Sequence, residues 1–193
     1  MSKVKFIIPI LILVVLLLSA FVFLHFRGAT VISADGREDI SFPITQFCQD
    51  DARWSSDKLG ASRYTMKTSG CITTSIATAL SRGLDEITPG ELNKAFSENG
   101  VYDTDGNIQW AKLDALGYKA DVLSEVSEDE IYANLKNGQF PIVRVRVNGT
   151  GNFHYVLIVG VENGEYICMD PLKDELTPLS AYLNKVYAVR VVY

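Results

Sequence analysis

Cys71, His154 and Asp170 are the three residues of this 193-residue chain whose types could together carry out nucleophilic chemistry. A thiol becomes a strong nucleophile when a neighbouring imidazole takes its proton, and a carboxylate can hold that imidazole in the required orientation. We therefore predict Cys71 as the nucleophile, His154 as the base and then the acid, and Asp170 as the orienting group. Each residue also has a simpler structural interpretation: a buried core cysteine, a core histidine and a turn carboxylate.

The segment around Cys71 has the pattern of a helix that begins at the cysteine. Gly70 precedes it, and apolar residues follow at helical spacing (Ile72, Ile76, Ala79 and Leu80). This spacing predicts a helix from Cys71 to about Arg82 that ends at Gly83, with one face in the core. The cysteine would then lie in the first turn, where unpaired backbone N–H groups and the helix dipole favour a thiolate. Gly70 would let a substrate backbone come close.

The segment that contains His154 and Asp170 has the pattern of a β-hairpin. The hydrophobic period changes from helical to two after Pro141, which is typical of strands. A nearly continuous apolar strand is predicted over 153–161, a turn over 162–165 and a returning strand over 166–169. His154 would begin the central strand and Asp170 would follow its partner, so we expect their side chains to meet. Further strands are predicted at 142–147 and 188–193.

Helices are predicted mainly before the strands. Thr88-Pro89-Gly90-Glu91 combines a capping residue, a first-turn proline and a glutamate at the third helical position, which predicts a helix start. Further helices are predicted from Asn107 to Leu116 and after a capping box at Ser127. Helices followed by antiparallel strands indicate an α+β domain in which N-terminal helices pack on an antiparallel sheet.

An apolar run from Phe6 to Phe26 stands near the start of the chain, interrupted by Pro9, Ser19 and His25. Such a run is long enough to cross a bilayer as a helix, which takes about 20 residues. Lys3 and Lys5 precede it, which predicts a cytoplasmic N-terminus and a domain outside the cell membrane. A cleaved signal peptide is the alternative, although its apolar region usually has only about 7–15 residues.

These patterns divide the chain into a membrane anchor at 1–27, a polar tether at 28–42 and one domain at 43–193. The formal net charge is -5, and every acidic residue lies beyond Arg27, so the exported part is more acidic than the whole chain. This distribution argues against nucleic acid as a partner.

The cysteines and histidines do not predict a metal site or a cofactor, because the exported domain has a single histidine and its cysteines are scattered. Three cysteines leave at least one thiol unpaired. Cys48 and Cys168 could form a disulfide that leaves Cys71 free, but the sequence does not show whether their Cβ atoms meet.

Several motifs together resemble one bacterial family. In chain order they are Gln49-x-Asp51-x-Arg53-Trp54, Leu59-Gly60, Ser69-Gly70-Cys71-x-Thr73-x-Ser75-x-Ala77-x-Ala79-Leu80, Thr88-Pro89-x-Glu91-Leu92-Asn93, His154-Tyr155-Val156-Leu157-x-Val159-Gly160 and Asp170-Pro171. The set resembles papain-fold cysteine peptidases related to the bacteriocin leader-processing peptidases, which cut after a double-glycine leader, and in particular their stand-alone peptidase-like branch.

The resemblance spans Pro43 to Pro171 and implies a papain-like fold in which Gln49 donates to the oxyanion. That role agrees with what a side-chain amide can do beside a nucleophile. Ala52 stands where the family usually has proline, which affects a loop more than the chemistry. The transporter-fused relatives act on the cytoplasmic side, whereas this domain is predicted to face outward, so their substrates do not transfer to it.

The sequence therefore predicts a membrane-anchored extracytoplasmic cysteine peptidase that acts on a peptide or protein. Two alternatives stay open. The domain could bind peptides at the cell surface without turnover, or it could be a thiol acyl or peptidyl transferase, since transfer and hydrolysis share the same acyl-enzyme.

Overall fold

The computed structural model describes residues 4–26, 28–81 and 86–193, and the side chains of 7–23, 28–81 and 86–193. The α-helices are α1 Val4–Phe26, α2 Met66–Ser69, α3 Cys71–Leu80, α4 Pro89–Glu98 and α5 Glu128–Lys136. The 3-10 helices are Trp110–Leu116, Val147–Gly149 and Leu179–Tyr182. The strands are β1 Thr30–Val31, β2 Ile40–Ser41, β3 Ala120–Val122, β4 Pro141–Arg146, β5 Phe153–Glu162, β6 Glu165–Met169, β7 Thr177–Pro178, β8 Lys185–Val186 and β9 Ala188–Val192.

An antiparallel sheet forms the centre of the domain, with strand order β3-β9-β4-β5-β6-β7 and with β2 also paired to β5. A nearly continuous apolar strand such as β5 must be covered on both faces, and α3 packs against it. The hairpin of β5 and β6 pairs Glu162 with Glu165, as the turn at 162–165 predicts. The α+β prediction, with helices on an antiparallel sheet, is thereby confirmed.

The helix starts predicted at Thr88 and Ser127 are confirmed. The Thr88 hydroxyl accepts a hydrogen bond from the Glu91 backbone at 3.3 Å, and the Glu91 carboxylate accepts one from the Thr88 backbone at 2.9 Å. The helix expected from Asn107 is instead a 3-10 helix that begins at Trp110, because the Asn107 side chain donates to Asp103 at 3.0 Å and caps nothing. The predicted end of α3 at Arg82 and Gly83 lies outside the described residues.

The segment 28–42 is part of the domain rather than a free tether. Strand β1 pairs with β8, and β2 pairs with β5. Ile32 is 1% exposed and Ala34 is fully buried, so this segment contributes apolar side chains to the core. Its polar residues conceal this in the sequence, because only alternate positions face inward.

The transmembrane helix in the predicted fold is not supported. In the part of the chain that the structure describes, no helix is sufficiently long and apolar to span a membrane. The described side chains of α1 extend from Ile7 to Phe23 and are mostly apolar and exposed. Residues 1–6 and 24–27 of the predicted anchor lie outside the described side chains.

The possible disulfide is absent, since Cys48, Cys71 and Cys168 are all free thiols. The Cys48 thiol lies 3.3 Å from the Asp174 carboxylate and donates toward the Lys173 carbonyl at 3.5 Å. Cys168 is buried in β6. The two thiols therefore have separate surroundings.

Candidate active site

Cys71 is the first residue of α3, which follows α2 through the closely packed Gly70. A Cβ added to Gly70 would lie 2.8 Å from the Met66 Cα, so only glycine fits between these two helices. The sequence suggested that Gly70 makes room for a substrate, but its neighbour is the backbone of α2. Cys71 is partly exposed and lies in the first turn of α3, where backbone N–H groups have no acceptor within their own helix.

His154 is the second residue of β5, and its imidazole lies between a carboxylate and a thiol. The ring is 3% exposed, and its Nε2 lies 2.6 Å from Asp170 Oδ1. Nδ1 is left for the side-chain hydrogen bond with Cys71. Burial lowers the pKa of His154, but the hydrogen bonds with Asp170 and Cys71 outweigh it and raise the pKa to about 9. The imidazole is therefore suited to hold a proton at neutral pH.

The Asp170 carboxylate is buried and accepts three hydrogen bonds. Oδ1 accepts from His154 and from the Leu172 backbone N–H at 2.9 Å, and Oδ2 accepts from the Tyr182 hydroxyl at 2.5 Å. Burial raises the pKa of Asp170, but the bonds from His154 and Tyr182 lower it further than burial raises it. Asp170 thus stays ionised behind the imidazole.

Gln49 is attached to the same region through its backbone and its side chain. Its backbone N–H donates to the Pro171 carbonyl at 2.9 Å, and its Nε2 donates to the Lys67 carbonyl at 2.8 Å. The bond to a carbonyl identifies this end of the amide as the nitrogen. Oε1 is buried without a hydrogen-bond partner within the described residues, and one Nε2–H remains for an oxygen in the cleft.

These residues lie around a cleft of about 620 Å³ between the helices and the sheet. Gln49, Cys71 and His154 line it, and Asp170 lies behind the imidazole. Aromatic side chains form much of the remaining wall: Tyr64, Trp110, Phe153 and Tyr155. A site with a thiol, an imidazole and N–H donors in one cleft can attack a carbonyl and stabilise the resulting oxyanion.

The structure brings together all four residues that the sequence selected, Gln49, Cys71, His154 and Asp170. Sequence reasoning missed Tyr182, which lies in a 3-10 turn without a periodic pattern. It also missed the Lys67 carbonyl, since no side-chain type indicates a backbone acceptor.

The fold is similar to a C39-like peptidase fold. A solved structure of a Bacillus anthracis protein, described as a putative C39-like peptidase, matches with a TM-score of 0.53 and 16% sequence identity. The match covers 81% of this chain and 98% of that protein. At this identity the likeness shows the fold alone. No protein-family model matches the sequence, and no curated protein matches it.

Proposed function

We propose that this chain is a cysteine peptidase-like hydrolase that cleaves an amide bond in a peptide or protein. One observation carries the proposal: Cys71 and His154 line the same cleft, which a peptide could enter, and the Asp170 carboxylate lies 2.6 Å behind the imidazole. The C39-like peptidase fold supports it.

In the proposed reaction, the Cys71 thiolate attacks the amide carbonyl and forms a C–S bond. The Cys71 backbone N–H and the free Nε2–H of Gln49 donate to the oxyanion. His154 gives its proton to the leaving nitrogen as the C–N bond breaks. A water molecule, deprotonated by His154, then hydrolyses the thioester and restores the thiol.

The thiol pairing is tested by the rate of iodoacetamide alkylation as a function of pH, with the other two cysteines as internal controls. Burial, followed by the hydrogen bond with Asp174, raises the pKa of Cys48 to about 11, and Cys168 is fully buried. Cys71 should therefore be the first thiol alkylated at neutral pH. His154→Ala should slow its labelling by at least about tenfold, because the thiolate loses its counter-ion. Labelling of Cys71 at the rate of Cys48, unchanged by His154→Ala, would contradict the proposal.

Turnover is tested by incubating the protein with a mixed peptide library and sequencing the products. Cys71→Ala should abolish cleavage, and the matched variant Cys48→Ala should retain it. Products that form only with an added amine acceptor would identify a transferase. Peptide binding by the unmodified protein without any product would identify a binding module.

We propose separately that the domain lies outside a bacterial cell membrane and is attached through its N-terminal segment. The apolar run after Lys3 and Lys5 supports this location, as do the exposed apolar side chains from Ile7 to Phe23. Protease added to intact spheroplasts should digest the domain, and alkaline carbonate should leave the protein with the membranes. Protection from the protease, or release by carbonate, would contradict the proposal.

A further inference from the structure

Three arginines form a cluster on one face of the sheet, next to the cleft. Arg144 and Arg146 lie in β4, and Arg190 lies in the neighbouring strand β9. Arg144 pairs in register with Tyr155, and Arg146 pairs with Phe153, so these four side chains share a face. Arg190 pairs with Ile142, two residues before Arg144, which places it on the same face.

The arginine cluster is in contact with the aromatic wall of the cleft. The Arg144 guanidinium lies 3.5 Å from the centroid of the Phe153 ring, and Arg190 lies 5.7 Å from the Trp110 ring. Phe153 and Trp110 both line the cleft that contains Cys71. A peptide that leaves the cleft over these rings would pass next to the guanidinium groups.

No carboxylate neutralises the cluster within the described part of the chain. The ion pairs found there join Arg37 to Asp129, Arg53 to Asp51, and both His154 and Lys173 to Asp170. Arg146 donates to the Gly151 carbonyl at 2.9 Å, and Arg190 donates to the Val189 carbonyl at 2.7 Å. The Nε atoms of Arg146 and Arg190 are buried without an acceptor among the described residues. Because these two Nε atoms are buried, a ligand at the surface would bind the cluster through the remaining guanidinium N–H groups.

The charge of the cluster is distinct from that of the rest of the protein. The chain as a whole has a formal net charge of -5. The cleft is lined by one lysine, Lys67, and one aspartate, Asp105, whose opposite charges cancel. The excess positive charge therefore lies beyond the aromatic wall, where arginine is well suited to bind a carboxylate through two parallel N–H donors.

We propose that the arginine cluster binds carboxylate groups of an acidic peptide whose adjoining residues occupy the cleft. The inference rests on the proposed function in one respect, namely that the occupant of the cleft is a peptide substrate. The binding of carboxylates by Arg144 and Arg190 does not itself require turnover, so it can be measured separately.

The test measures the binding of two fluorescent decapeptides to the full chain with Cys71→Ala, which prevents cleavage. One probe alternates alanine with glutamate, and the other alternates alanine with glutamine. The glutamate probe should bind at least about tenfold more tightly, since hydrogen bonds to charged groups contribute more than neutral ones. Arg144→Gln and Arg190→Gln should each reduce this preference, Arg144→Lys should retain part of it, and added salt should weaken it.

Arg37→Gln is the matched control, because Arg37 already pairs with Asp129 and lies outside the cluster. It should leave the glutamate preference unchanged, and the thermal melting of every variant shows whether it is folded. Equal affinity for the two probes, no saturable binding of the glutamate probe, or a preference that both Arg→Gln variants retain would overturn the inference. Cys71-dependent cleavage without an acid preference would overturn this inference alone. An acid preference without any cleavage would overturn only the proposed function.

Discussion

The position of the Asp170 carboxylate determines how the imidazole of His154 is held. Oδ1 faces His154, and Oδ2 is bound by the Tyr182 hydroxyl at 2.5 Å. Without the second bond, the carboxylate could rotate about its Cβ–Cγ bond and lose its alignment with Nε2. Tyr182 touches no reacting atom and is therefore a positioning residue.

Tyr182→Phe should shift the acid limb of the pH profile for Cys71 alkylation to higher pH. The tyrosine hydroxyl is one of the donors that lower the pKa of Asp170, so its removal lets the carboxyl protonate sooner as the pH falls. The labelling rate at neutral pH should fall by about tenfold or less, the size expected for one charged hydrogen bond. Stopped-flow or quenched alkylation over a pH series measures both effects.

Tyr166→Phe is the matched control, because Tyr166 is equally buried. Its hydroxyl makes a long hydrogen bond of 3.5 Å to the Glu128 carbonyl, away from the site. It should leave the acid limb in place. An identical profile for Tyr182→Phe and the unmodified protein would show that Asp170 does not depend on this bond.

The residues with reactive side chains could be selected from the sequence, and the residues that position them could not. Cys71, His154 and Asp170 have chemically informative types, and local turn and helix patterns located them. Tyr182 reaches Asp170 from a turn in which Leu183 has a φ of +60°, and a bulky residue does not predict that conformation. Asn107 donates to Asp103 and does not cap a helix, and its residue type alone fits either role.

At the scale of elements, local signals predicted the helices and strands well, whereas long-range pairing was hidden. The caps at Thr88 and Ser127 and the hairpin over 162–165 depend on neighbouring residues, and they are confirmed. Strands β1 and β2 have two residues each, too few for a periodic pattern, and they form only because β8 and β5 lie next to them. The sequence of the segment 28–42 therefore indicates a polar tether, although the segment packs on the domain.

Ile32→Ala should lower the free energy of unfolding by about 2–5 kcal/mol, the cost of removing a large buried aliphatic side chain. Ile32 is 1% exposed, whereas its neighbour Val31 is 64% exposed. Val31→Ala is therefore the matched control and should change the free energy by less than about 0.5 kcal/mol. Urea denaturation, monitored by tryptophan fluorescence, measures both variants. A similar small effect for both would mean that the segment is a loose tether in solution.

At the scale of the whole molecule, the buried pair of His154 and Asp170 connects the function of the site to the stability of the fold. The helices supply Cys71, and the sheet supplies the imidazole and the carboxylate. Both charges are removed from water at this junction, so the pair is stabilising only while both partners are ionised. Stability should therefore depend on pH through a residue of the proposed active site.

In Cys71→Ala, in which no thiol titrates beside the imidazole, stability should fall as the pH rises from about 6.5 through the pKa of His154 in the folded state. Folding raises the pKa of His154 to about 9, so the folded state binds a proton that the unfolded state releases above about pH 6.5. The contribution is complete below the unfolded pKa and disappears as the pH rises through the folded one. His154→Gln in the same Cys71→Ala background should be less stable at pH 6 but nearly flat over this range. In the unmodified protein, the proton that a Cys71 thiolate has already released offsets part of the decline. Urea denaturation at closely spaced pH values measures these differences. A stability of Cys71→Ala that rises with pH relative to the double variant would mean that the imidazole is neutral in the folded state, and a Cys71 thiolate would then lack a cationic partner.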